Sequence, residues 1–95
     1  MNKVAIITGA GQGIGLAIAR KLVENGTQVL LNDREKSLTQ EAVASLSRLK
    51  KGSVIGCSGD AADPEVIAEL VSLALQNFGH IDQLVCNAGI TLFGN

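Results

Sequence analysis

A chain of 95 residues with 46% apolar and 18% charged side chains has the size and composition of one small globular domain, which excludes a disordered one. A net charge of −1 with no basic block, and only 2% aromatics, argue against a nucleic-acid or anionic-membrane partner; such surfaces call for concentrated positive charge or a base-stacking platform. The first apolar run is too short for a secretory core or a membrane span, and Cys57 and Cys86 lack the histidine cluster of a zinc site. The expectation is a cytoplasmic chain with buried, reduced thiols and no metal.

Val4–Ile7 is uniformly apolar and predicts a strand buried on both faces, as in a parallel sheet. Thr8-Gly9-Ala10-Gly11-Gln12-Gly13-Ile14-Gly15 follows, and then a helical stretch to Asn25 with Ile14, Ala17, Ile18 and Leu22 on one stripe and Gly26 as its stop. A strand, a glycine turn and a helix in that order form an anion site, because glycine lets backbone N–H groups approach a phosphate and the helix N-terminus carries partial positive charge. Gln28–Leu31 predicts a second strand, with Asp33 just beyond it. Ser37 and Gln40 fit a capping box for a helix bearing Leu38, Ala42, Leu46 and Leu49, closed by Lys50-Lys51-Gly52. Ser53–Gly56 predicts a third strand. Asp63 and Pro64 start a third helix, whose inner stripe is Ile67, Leu70, Val71, Ala74 and Phe78 and whose stop is Gly79. Asp82–Cys86 predicts a fourth strand, followed by Asn87-Ala88-Gly89.

The alternation β-α-β-α-β-α-β predicts an α/β fold, a Rossmann-type doubly wound parallel sheet in the order 3-2-1-4. The switch point then lies between strands one and four, and the glycine loop and the Asn87 turn meet at one crevice. The lone histidine, His80, falls at the opposite end of the sheet and reads as a surface residue.

The loop does not fit G-x-G-x-x-G; it fits T-G-x-x-x-G-x-G. In this it resembles the short-chain dehydrogenase/reductase family, and the resemblance extends over the whole chain. It implies an NAD(P)-dependent oxidoreductase acting on an alcohol or carbonyl, with a 3-oxoacyl thioester or a sugar among the candidate substrates. On this resemblance Thr8, Gly9, Gly11, Gln12, Gly13, Ile14 and Gly15 cradle the pyrophosphate. Asp33 stands about twenty residues beyond the loop, where a carboxylate accepts from ribose hydroxyls and repels a 2′-phosphate. NAD is therefore expected over NADP, although Arg34 is of the type that meets a 2′-phosphate in the family. Asp60 matches the family's acceptor for the adenine amino group and Ala61 the backbone N–H that meets the ring. Asn87, Ala88 and Gly89 match the family's N-A-G turn, with Cys86 where another Asn is usual.

The family's catalytic Ser, Tyr and Lys have no counterpart here, and the sequence contains no tyrosine at all. The expectation is thus the N-terminal, cofactor-binding part of one domain, inactive alone, from a parent that is homo-oligomeric through helices beyond this chain. The alternative is a non-catalytic nucleotide-binding or interaction fragment that docks on a full-length relative through its strand-four edge. Such a part must offset about 1.5 kcal/mol of entropy per ordered residue with half its core missing, so marginal stability or aggregation is expected.

Overall fold

The computed structural model describes residues 2–49 and 53–87. Its elements are β1 (Val4–Thr8), α1 (Gly13–Glu24), β2 (Gln28–Asp33), α2 (Lys36–Ser47), β3 (Val54–Ser58), α3 (Pro64–Phe78) and β4 (Gln83–Cys86). The strands form one parallel sheet in the order β3-β2-β1-β4, as the alternation predicts.

All five residues of β1 are buried. Side chains alternate across a strand, so Ala5 and Ile7 pack with Val29 and Leu31 under Ala19 and Val23 of α1 and Ala42 and Leu46 of α2. Ile6 and Leu30 face the other way, against Leu70 and Ala74 of α3. One sheet face thus carries two helices and the other carries one. At about 25 cal/mol per Å² of apolar surface, this two-sided burial of β1 and β2 is the main force ordering the sheet.

The helix ends follow local chemistry. Asp63 caps α3 by accepting from the Glu65 N–H at 2.9 Å, Pro64 opens the helix, and Gly79 closes it at φ 88°. Helix α1 ends in a Schellman arrangement: Thr27 N–H donates to the Leu22 carbonyl at 2.9 Å and Gly26 N–H to Val23 at 3.0 Å.

Several sequence expectations need correction. The buried face of α1 is Gly15, Ala19 and Val23, not a stripe through Ile14 and Ala17; Ile14 is 63% exposed. Gly15 carries no side chain, so it escapes an apolar pattern search, yet its bareness is what lets α1 press onto the glycine loop. The capping box at Ser37 and Gln40 does not form. Helix α2 starts at Lys36 after Glu35, with no side-chain cap, because Asp33 takes the turn: its Oδ1 accepts from the Glu35 N–H at 3.0 Å. Leu49 lies past the end of α2 and is exposed. Lys50-Lys51-Gly52 falls outside the described residues. Strand β2 runs on to Asp33, and β3 occupies 54–58 with Gly56 in its middle. The cysteines are free but not buried: Cys57 is half-buried and Cys86 exposed, since β4 pairs only with β1 among the described residues.

Candidate functional site

The register sets which loops meet. Thr8 pairs with Cys86 and Asp33 with Ser58, so the chain leaves β1, β2, β3 and β4 at one end of the sheet. Gly9, Arg34, Gly59 and Asn87 are the first residues past those strands. His80 lies at the opposite end, as expected, with Nε2 3.1 Å from both the Asn2 carbonyl and Asp82 Oδ2.

The glycine loop is shaped by two left-handed turns, Gly9 and Gly13, both at φ 63°. At Gly15 a Cβ would collide with the Gly9 carbonyl and would lie 2.7 Å from Asn87 Nδ2. At Gly11 a Cβ would meet Asp33 Oδ2 at 2.7 Å. Beside Gly13, by contrast, nothing lies within 4 Å, so open space faces the start of α1. That start has no side-chain cap and no acidic residue in its first turn, while Lys21 sits in the last turn. The first N–H groups and the positive end of the helix dipole belong to this helix start, an arrangement suited to an anion. Ile14 is exposed at the same helix start, and Gln12 is exposed just before it.

Two further strand ends are fastened to this loop, and the third is fastened to one of them. Asp33 Oδ2 accepts from the Gly11 N–H at 2.9 Å. The Asn87 N–H donates to Thr8 Oγ1 at 3.0 Å, and its Nδ2 donates to the Gly9 carbonyl at 3.0 Å. The Asp33 carbonyl accepts from the Gly59 N–H at 3.0 Å, which joins the β3 exit to the β2 exit. Hydrogen bonds therefore join Thr8 and Gly9 to Asn87, and Gly11 to Asp33, with Gly15 packed against Gly9 and Asn87 and Gly13 open beside them; Asp60 and Ala61 follow directly after Gly59. Asp60 is exposed, and its Oδ1 accepts from the Ala62 N–H at 2.9 Å. Arg34 is exposed beside Asp33. Ala88 and Gly89 lie outside the described residues.

Sequence reasoning missed Asn32. It is fully buried, yet polar. Its Nδ2 donates to the Cys57 carbonyl at 3.0 Å and to the Gly59 carbonyl at 3.1 Å, and its own carbonyl accepts from the Ala10 N–H at 2.8 Å. The signal was legible: Asn32 follows Val29-Leu30-Leu31 on the face of Leu30, where a parallel strand calls for an apolar side chain.

Burial and the nearby Glu69 push the Cys57 thiol above its ordinary value, which disfavours the reactive thiolate. Among the described residues, no group of His, Cys, Asp or Glu is placed to hold a metal ion, and no helix is long and apolar enough to cross a membrane.

A four-stranded parallel sheet in the order 3-2-1-4, with a glycine turn at the switch point, is a partial Rossmann fold. The chain belongs to the short-chain dehydrogenase/reductase family: the family model described as short chain dehydrogenase matches residues 3–95. Versicolorin reductase 1 of Aspergillus parasiticus is 39% identical over 94 residues, covering 99% of this chain and 36% of that protein. D-beta-hydroxybutyrate dehydrogenase of Rhizobium meliloti is 41% identical, over 95% of this chain and 35% of that one. Among solved structures, L-sorbose reductase from Gluconobacter frateurii, complexed with NADPH and L-sorbose, superposes with a TM-score of 0.87 at 36% identity, covering 99% of this chain and 37% of that chain. The chain thus spans about a third of the length of the curated relatives it matches.

Proposed function

We propose that this chain is the N-terminal, cofactor-binding part of an NAD(P)-dependent oxidoreductase that moves hydride between the nicotinamide and an alcohol or carbonyl, a 3-oxoacyl thioester or sugar being candidate substrates. The observation that carries it is the bonded cluster of Thr8, Gly9, Gly11, Asp33 and Asn87 around an open, uncapped helix start. The residues fit the group. Bare glycines leave room at Gly13, the first turn of α1 offers N–H donors, and no carboxylate there repels a phosphate.

In this reading Gly9, Gly11, Gln12, Gly13, Ile14 and Gly15 hold the pyrophosphate against α1. Asp33, fixed by two backbone amides, points its remaining acceptor capacity at the adenosine ribose. A carboxylate there repels a 2′-phosphate, which supports NAD over NADP; the exposed Arg34 beside it is the one feature that pulls the other way. Asp60 and Ala61 meet the adenine edge, and Asn87, Ala88 and Gly89 line the turn beside the cofactor. When bound, the dinucleotide supplies the hydride. The tyrosine that would carry the proton has no counterpart among these residues.

Strand β4, which pairs only with β1 among the described residues and in which Gln83, Leu84 and Cys86 are exposed, favours a second reading, a nucleotide-binding fragment that docks on a full-length relative. Reading the coding sequence past Asn95 separates them. A downstream Tyr-x-x-x-Lys supports the oxidoreductase; an immediate stop codon supports the fragment.

A further inference from the structure

Asn32 is bonded to both the glycine loop and the β3 exit. Its carbonyl holds the Ala10 N–H of the glycine loop at 2.8 Å. Its side-chain amide holds the β3 exit through the Cys57 and Gly59 carbonyls, at 3.0 and 3.1 Å. These two acceptors fix which end of the amide is nitrogen. The β3 exit turns sharply at Gly59, with φ 150°, a conformation open to glycine and few others, and the next residues are Asp60 and Ala61. The oxygen end of the amide, Oδ1, is buried without a hydrogen-bond partner. A buried acceptor left unpaired destabilises a fold, so Asn32 is not the side chain that stability alone would place among Leu30, Leu70 and Ala74 on this face. What it adds is the location of the Gly59 carbonyl, and with it the direction of the loop that follows.

We infer that Asn32 is a positioning residue for adenine recognition: its amide sets the β3 exit so that Asp60 and the Ala61 N–H present an acceptor and a donor, side by side, to an aminopurine edge. The inference rests on the dinucleotide reading of the site. The complementary edge has an amino donor next to a ring-nitrogen acceptor, as adenine has. Hypoxanthine reverses both, placing a carbonyl at the carboxylate and an N–H at the backbone donor.

The test is calorimetric titration of the chain, and of Asn32→Leu, with NAD and with nicotinamide hypoxanthine dinucleotide, each protein being checked by thermal melting. The wild-type chain should prefer NAD by about tenfold, the value of one hydrogen bond to a charged group. Asn32→Leu should melt cooperatively, bind the hypoxanthine dinucleotide as the wild type does, and lose most of the preference. Should Asn32→Leu fail to melt cooperatively, Asn32→Ser, which keeps one donor, decides on the same ratio. A folded variant that keeps the full preference, or that loses affinity for both dinucleotides equally, overturns the positioning role and leaves the dinucleotide site standing. A wild-type chain that binds both dinucleotides equally removes the adenine reading and the inference with it. A wild-type chain that binds neither removes the dinucleotide reading itself.

Discussion

The Asn87 side-chain amide donates to the Gly9 carbonyl at 3.0 Å, across 78 positions of sequence. Its backbone N–H donates to Thr8 Oγ1 at the same distance. The exits of β1 and β4 are therefore one rigid corner, and Gly15 is the α1 residue packed against it.

That corner has no room for a methyl group. Gly15→Ala places a Cβ against the Gly9 carbonyl and Asn87 Nδ2, and overpacking of this kind costs about 1–3 kcal/mol. The helix start must shift, so NAD affinity should fall along with stability. Urea denaturation and titration of the variant check both; an unchanged midpoint contradicts the packing argument.

Asn87→Ala removes the bond to Gly9 and should cost about 1 kcal/mol, the net worth of one hydrogen bond. It also opens space beside Gly15. In the Asn87→Ala background, Gly15→Ala should then cost less than it does alone. A double-mutant cycle by urea denaturation measures the difference, and strict additivity would show that the two residues do not share a contact.

Asp33→Ala should weaken NAD by at least about tenfold, from the loss of charge-assisted hydrogen bonds to the ribose, and should leave NADP unchanged or tighter. The change in the ratio is the diagnostic. An equal loss for both cofactors would mean that Asp33 serves only to hold Gly11 and Glu35.

The two thiols should separate by reactivity. Cys86 is exposed on β4, whereas Cys57 is half-buried and its thiol is raised by burial and by Glu69. The thiolate is the reactive form. Alkylation near pH 8 should label Cys86 first, and labelling of Cys57 should accelerate only as pH climbs past the ordinary thiol value. The sign for stability follows: a group raised in the folded state contributes stability below its unfolded value, lost as pH rises through the folded one. Mass spectrometry of a timed labelling series gives the order, and Cys57 reacting first contradicts it.

Leu84, on the β4 edge, and Leu75, on α3, are each 49% exposed. An apolar edge strand invites pairing with another chain. Leu84→Lys should shift the chain toward monomer in sedimentation experiments at equal concentration. Identical profiles would show that β4 is not the associating edge.

The order of elements and the strand order were legible because parallel strands read as apolar runs and each helix of an α/β unit has its own punctuation. Asp63, Pro64 and Gly79 bracket α3 as their chemistry dictates. Errors arose where a residue works by something other than its hydrophobicity. Gly15 sits at the heart of the α1 contact because it is small, whereas an apolar pattern points to Ile14 instead. Asp33 organises the turn into α2, which displaced the cap expected at Ser37. The glycine loop, Asp33 and the Asn87 turn could be named from motif and position, but that Asp33 bonds Gly11 and Asn87 bonds Gly9 depends on the sheet register. Asn32 was visible as a polar residue in an apolar strand, but its partners, the Cys57 and Gly59 carbonyls, lie about 25 residues away and are brought beside it only by the pairing of β2 with β3.

The most direct test of the dinucleotide site is a calorimetric titration of this 95-residue chain with NAD, NADP and AMP under conditions where it melts cooperatively. The site described predicts saturable binding of NAD, with NADP weaker by at least about tenfold because Asp33 repels the 2′-phosphate. A folded chain that binds none of the three, or that binds NADP more tightly than NAD, contradicts it.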